Sequence, residues 1–135
     1  MTRRSCASDG TREGKRSMKP GFDEIGVWSE VKLDIVREYA VKYSTILAKQ
    51  RLKHIYIDAF AGPGVHLSRQ TGGWVLGSPL NALAIQPPFK EFHFIDADGN
   101  RAAQLKELAG NRPPPKWWVW WPTRGRMARE GRPNP

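Results

Sequence analysis

Two carboxylates and two glycines in this chain have the types and spacing of a cofactor site. Asp58 closes the apolar run His54-Ile55-Tyr56-Ile57, and Ala59-Phe60-Ala61-Gly62-Pro63-Gly64 follows at once. A strand that delivers an aspartate into a small-residue turn is how a parallel α/β sheet presents backbone to a ligand. Gly62 and Gly64 permit the tight turn and let a ligand approach main-chain N–H groups. Asp96 ends a second apolar run, Glu91-Phe92-His93-Phe94-Ile95. A carboxylate there can accept hydrogen bonds from both hydroxyls of a ribose. It stands 34 residues after Gly62, against ~20 in dinucleotide-binding folds. A polar, Gly-containing stretch over 65–77 accounts for the excess. Asp98 is a rival ligand, but its position suits capping of the next helix.

The other reactive side chains carry less. His54 starts a strand and His93 lies within one, so both read as packing or edge residues. His66 sits near the glycine turn and can touch a cofactor or substrate, yet a solvated loop histidine fits that stretch better. No nucleophile–base pair, zinc spacing or phosphate-loop lysine is present. Cys6 is the only cysteine, which excludes an internal disulfide and a cysteine-based metal site. Ser68 lacks a motif context, and Ser78 is accounted for by helix capping.

These residues need elements to position them. Ser29 and Glu30 suit a helix start as cap and first-turn acid. From there Val31, Ile35, Tyr39 and Tyr43 recur every four residues, joined by Val36, Ile46 and Leu47, which predicts an amphipathic helix over 29–49. Packing of this helix on the sheet is the expected use of that stripe. A strand follows over 54–60, then an insertion loop over 65–77 with Trp74 as its one large apolar residue. Gly77-Ser78-Pro79 starts a second helix, with Ser78 as cap and Pro79 at the first helical position. Leu80, Leu83 and Ala84 form its apolar stripe before Gln86-Pro87-Pro88 stops it. A second strand over 91–96 leads into a helix begun by Asp98 or Asn100 and closed by Gly110. The order α-β-α-β-α predicts a parallel sheet with right-handed crossovers.

Charge divides the chain into three parts. Residues 1–20 carry a net +4 and residues 111–135 a net +5, whereas 21–110 hold ten residues of each sign. The formal charge of +9 therefore belongs to the ends. Charged, Pro-rich ends read as solvated segments before they read as a phosphate grip. Residues 1–20 lack periodicity and are expected to be a disordered tail, and Met18 opens the more ordered stretch. An intact-mass measurement on native protein tests whether Met18 is the true start. No stretch has the length of a membrane span and no signal-peptide core follows the basic N-terminus, so a cytoplasmic location is expected.

A third strand is due after Gly110. Instead the chain reads Asn111-Arg112-Pro113-Pro114-Pro115-Lys116-Trp117-Trp118-Val119-Trp120-Trp121-Pro122 and an Arg/Gly/Pro tail. As a strand this is broken by prolines on both sides. Tryptophan has one codon, TGG, so the underlying DNA is largely fixed. Shifting the frame from the Lys116/Trp117 junction gives Val or Met, Val, Gly, an apolar residue, Val, Ala and then Asp, Asn, His or Tyr. That hidden peptide is an apolar parallel strand ending in a polar residue. We therefore expect residues 111–135 to be a non-native Trp/Arg/Pro tail from a shifted frame; sequencing codons 105–135 and past the stop tests this. A genuine low-complexity tail is the alternative. With only two strands paired, the chain would have an open edge, little core and marginal stability.

The run Asp58-Ala59-Phe60-Ala61-Gly62-Pro63-Gly64 resembles the first cofactor motif of class I S-adenosylmethionine-dependent methyltransferases. A wider set narrows the likeness: Phe22-Asp23-Glu24-Ile25-Gly26, Trp28-Ser29-Glu30, Lys32, the Asp58 run, Gly77-Ser78-Pro79-Leu80 and Phe94-Ile95-Asp96 occur in that order. Over about residues 18–110 the chain resembles the three-Cys-motif partner protein family (TcmP). The resemblance implies a bacterial protein with a Rossmann-like, three-layer methyltransferase fold, here truncated to its N-terminal part over 21–110. It implies S-adenosylmethionine as cofactor, with Asp58, Phe60, Ala61, Gly62, Gly64 and Asp96 as binding residues. Asp58 would receive the ammonium of its methionine part. It also implies a companion protein that carries the three cysteines. The Asp-Pro-type motif expected beside the methyl acceptor is missing, so the fragment is expected to be inactive in transfer. Two other readings compete: a non-enzymatic partner-binding module using the 29–49 helix, and nucleic-acid binding by base stacking on the basic, Trp-rich tail.

Overall fold

A computed structural model describes residues 23–50, 52–110 and 116–132. The expectations for residues 1–20, including Met18 and Cys6, and for Arg112–Pro115 lie outside the described residues. Over the described residues the chain is mixed α/β, with three helices and two mixed sheets.

The larger sheet has the order β2-β5-β6-β7. Strands β2 (Ile55–Asp58), β5 (Glu91–Ile95) and β6 (Lys116–Thr123) run parallel, and β7 (Arg126–Arg132) returns antiparallel. Helix α2 (Ser78–Leu83) connects β2 to β5, and α3 (Gly99–Gly110) connects β5 to β6. Strands added in one direction with crossovers of one hand place their helices on one face. That face holds the core: Phe92, Phe94, Leu105 and Val119 are fully buried, with Leu80, Ala102 and Trp117 beside them. The described layers are therefore two, where three were expected. Ile55 and Ile57 point to the opposite face, 44% and 60% exposed.

Residues 116–123 correct the expected break. The stretch is a strand in the third position of the sheet, with Trp117 opposite Phe92 and Val119 opposite Phe94. Pro122 is tolerated because of where it falls. It pairs with Met127, one step from the Thr123–Arg126 pair that closes a two-residue loop. That step is the non-hydrogen-bonded one, so the missing N–H would face the β5 side, beyond the last paired residue, Ile95. Gly125, at φ 77°, supplies the left-handed second loop residue of a type II turn. Among the described residues the sheet thus has four strands where two were expected, and β2 is at its edge.

Residues 65–77 are a second correction. They form β3 (Val65–Ser68) and β4 (Trp74–Leu76), an antiparallel pair, and β1 (Glu24–Ile25) adds parallel to β3. Strands of four, three and two residues leave little periodicity to read. The buried Ser68 fastens the connection, its hydroxyl accepting from the N–H groups of Gln70 and Thr71 at 3.3 Å each.

Helix α1 spans Val27–Ala48, near the predicted 29–49. Ser29 is not its cap. Gly26 holds that place in extended conformation, and its carbonyl accepts from Ser29 and Glu30 N–H. The helix meets the fold through Ala40 and Ser44. Ser44 Oγ lies 3.2 Å from His54 Nε2 and also donates to the Pro87 carbonyl. Packing of the Val31–Ile46 stripe on the sheet is not found: Val31, Ile35, Tyr39, Tyr43 and Ile46 are exposed. Among the described residues no helix is long and apolar enough to cross a membrane.

Candidate functional site

Strands β2 and β5 end side by side, with Asp58 in register with Phe94, two residues before Asp96. Asp58 ends its strand through its own side chain: Oδ1 accepts the Phe60 N–H at 3.1 Å, turning the chain away. Its Oδ2 accepts the Ser78 hydroxyl. Gly77, not Ser78, occupies the cap position of α2, so the predicted capping role of Ser78 is replaced by this contact with Asp58.

The glycine turn follows with positive φ at both predicted positions, 68° at Gly62 and 89° at Gly64. They have different reasons to be glycine. A Cβ on Gly64 would lie 2.9 Å from Leu105 Cδ1, so its bareness lets α3 close on the turn. Gly62 sets the turn by its backbone, and its N–H donates to Asp96 Oδ2 at 2.8 Å. Asp96 Oδ1 accepts the Asp98 N–H, also at 2.8 Å. One buried carboxylate therefore ties the glycine turn to the start of the next helix. Asp98 caps α3 as expected, accepting the Asn100 N–H at 2.8 Å.

Of the other predicted site residues, Ala61 is buried and spends its N–H on the Ile95 carbonyl, while Phe60 is 92% exposed at the rim. Five of the six line one cleft. The cleft measures about 1240 Å³, and Asp58, Phe60, Ala61, Gly62 and Asp96 are on its wall. Gly64 lies behind them, its carbonyl accepting the Gly77 N–H at 2.8 Å.

His66 was missed as a site residue. It is not a solvated loop side chain; it stands on β3, half-buried under the turn. Its Cε1 is 3.7 Å from where a Gly62 Cβ would be, and its Nε2 is 3.0 Å from the same point on Gly77. Burial pushes its pKa below the ordinary value against the pull of Asp23, and its buried Nδ1 has no hydrogen-bond partner among the described residues. A short β3 is the feature that brings it here, and four residues of alternation were too few to announce that strand. Arg101 and Asp23, paired at 2.8 Å, close the same end of the cleft.

The two remaining histidines are packing residues. His54 is buried edge-on to Phe89, with ring centroids 5.1 Å apart. His93 Nδ1 accepts the Trp120 indole N–H at 3.1 Å, and its Nε2 lies 3.1 Å from Glu91. On the same face Arg129 covers both Trp118 and Trp120, 4.7 and 5.2 Å from their ring centroids. Comparison with protein-family models, curated proteins and solved structures found no match.

Proposed function

We propose that the cleft binds S-adenosylmethionine and that the chain is the cofactor-binding part of a Rossmann-like domain of the class I methyltransferase type, akin to the three-Cys-motif partner proteins. One observation carries this reading. Asp58 and Asp96 end neighbouring parallel strands and flank a turn with two positive-φ glycines, and both carboxylates and Gly62 line one cleft.

The donor set fits the cofactor. Each carboxylate oxygen has two lone-pair directions, so Asp58 and Asp96 can accept from a ligand while keeping their internal bonds. Asp58 attracts the ammonium of the methionine part, and the bare backbone at Gly62 admits that part closely. Asp96 accepts from the ribose hydroxyls, and Phe60 offers an apolar ring at the rim. His66 leaves its Nδ1 without a partner among the described residues beneath the turn. Topology supports the same place. In doubly wound sheets ligands bind beyond the carboxyl ends of the strands where strand order reverses. Both crossovers here run away from β2, and the glycine turn follows its carboxyl end.

When bound, the cofactor supplies an activated methyl group. The residues of this chain bind and orient it. No Asp-Pro dipeptide occurs among the 135 residues, so the proposal stops at cofactor binding and assigns no transfer step. Equilibrium dialysis of the full chain against radiolabelled S-adenosylmethionine tests it, with NAD as competitor. We expect saturable binding that Asp58→Ala weakens by at least about tenfold, or about 1.4 kcal/mol, and that NAD does not displace. Absence of binding by folded protein, or equal displacement by NAD, would refute it.

A further inference from the structure

The longest helix leaves its most apolar stripe in water. Trp28, Val31, Ile35, Tyr39, Tyr43 and Ile46 recur along α1 at three- to four-residue spacing, and their exposure runs from 43% at Val31 to 77% at Trp28. Between Trp28 and Ile46 the stripe is about 27 Å long, or five turns. Tyr39 and Tyr43 are stacked with centroids 5.9 Å apart, so part of it is already ordered. A contiguous apolar surface of this size marks an interaction site.

Its spacing and its charges select the occupant. Trp28, Ile35, Lys42 and Lys49 fall seven residues apart, with Lys32, Tyr39 and Ile46 four residues after the first three. This is a heptad seam, the pattern that packs against another helix. Three of its seven positions are lysines: Lys32 lines the cleft, and Lys42 and Lys49 form no ion pair among the described residues. In a parallel pair of two copies each lysine would meet its own equivalent, and an antiparallel pair that matches Tyr39 with Ile35 would set Lys32 against Lys42, which disfavours self-association. An anionic membrane is disfavoured too, because residues 27–49 carry three acidic and four basic side chains, a net charge of only +1. What remains is a helix from another protein, apolar along its own seam and acidic where it passes the two lysines.

We propose that α1 docks an amphipathic partner helix whose carboxylates face Lys42 and Lys49. Lys32 also lines the cleft of Asp58 and Asp96, but Ile35 and Lys42 do not, so variants at those two positions test docking independently of cofactor binding. The test uses fluorescence anisotropy with a labelled synthetic helix that has leucine at its seam positions and glutamate opposite the two lysines. A second peptide has lysine in place of glutamate. We expect the glutamate peptide to bind at least about tenfold more tightly, Ile35→Asp to abolish binding, and Lys42→Glu to reverse the preference. Both positions are exposed, and circular dichroism checks that the variants fold. Equal or absent binding of the two peptides would overturn the proposal. So would Ile35-dependent dimerisation in sedimentation velocity, or Ile35-dependent binding to phosphatidylglycerol vesicles.

Discussion

Replacing Asp96 by alanine should loosen the protein more than any other single change of an acidic side chain at the site. The carboxylate accepts two main-chain N–H groups, from Gly62 and Asp98, each at 2.8 Å, and is only 8% exposed. Hydrogen bonds to a charged group contribute about 1.5–3 kcal/mol each. Water repays part of the loss, because Gly62 is half-buried and Asp98 exposed. The expected cost of Asp96→Ala is therefore about 2–4 kcal/mol. Asp96→Asn keeps one acceptor oxygen and should cost about half of that. Asp98→Ala loses only the cap on Asn100, worth about 1 kcal/mol. Urea unfolding followed by tryptophan fluorescence reads the order directly, since a slope of about 1–3 kcal/mol/M turns these values into midpoint shifts. If Asp96→Ala unfolds no earlier than Asp98→Ala, the carboxylate does not hold the glycine turn and the reasoning fails.

Other expected outcomes follow from the same geometry. Gly64→Ala should cost about 2–4 kcal/mol in urea unfolding, because it sets a side chain at φ 89° and drives its Cβ to within 2.9 Å of Leu105. Trp117→Ala should cost about 3–5 kcal/mol by opening a core cavity. Trp118→Ala should cost about 1 kcal/mol, mostly its contact with Arg129; the reverse order would mean that β6 sits one residue out of register. Burial, and then the charge of Asp58, push the Tyr56 phenol up to about 12 from 10. A raised acid binds its proton longer when folded, so the stability it contributes is complete below pH 10 and is lost as pH rises towards 12. Tyr56→Phe should flatten that part of the stability–pH curve, and an unchanged curve would rule Tyr56 out as its cause.

The site was more legible than the fold around it. Asp58, Gly62, Gly64 and Asp96 announce themselves because strand ends and glycine turns have few alternative uses, and their spacing is local. His66 was hidden because its place depends on β1 and β3 pairing across 43 residues, between strands too short to show alternation. Ser29 and Ser78 were read as caps by residue type, but glycines took both places. Ser78 donates to Asp58 instead, a tertiary choice that no propensity encodes. The tryptophans after Pro115 looked unfit for a strand because prolines flank them, yet Pro122 falls where the ladder asks for no N–H. The α1 stripe gives the clearest warning: a 3.6-residue period shows that a face is apolar, not which surface covers it.

The central claim is that the cofactor lies between Asp58, the glycine turn and Asp96. Titration of the ¹⁵N-labelled chain with S-adenosylhomocysteine tests it most directly, through the amide resonances. The account predicts the largest shifts at Phe60, Gly62 and Gly64 and at Asp96–Asp98, with the β6–β7 hairpin unmoved. Shifts confined to Trp118, Trp120 and Arg129, or none at saturating ligand, would contradict it.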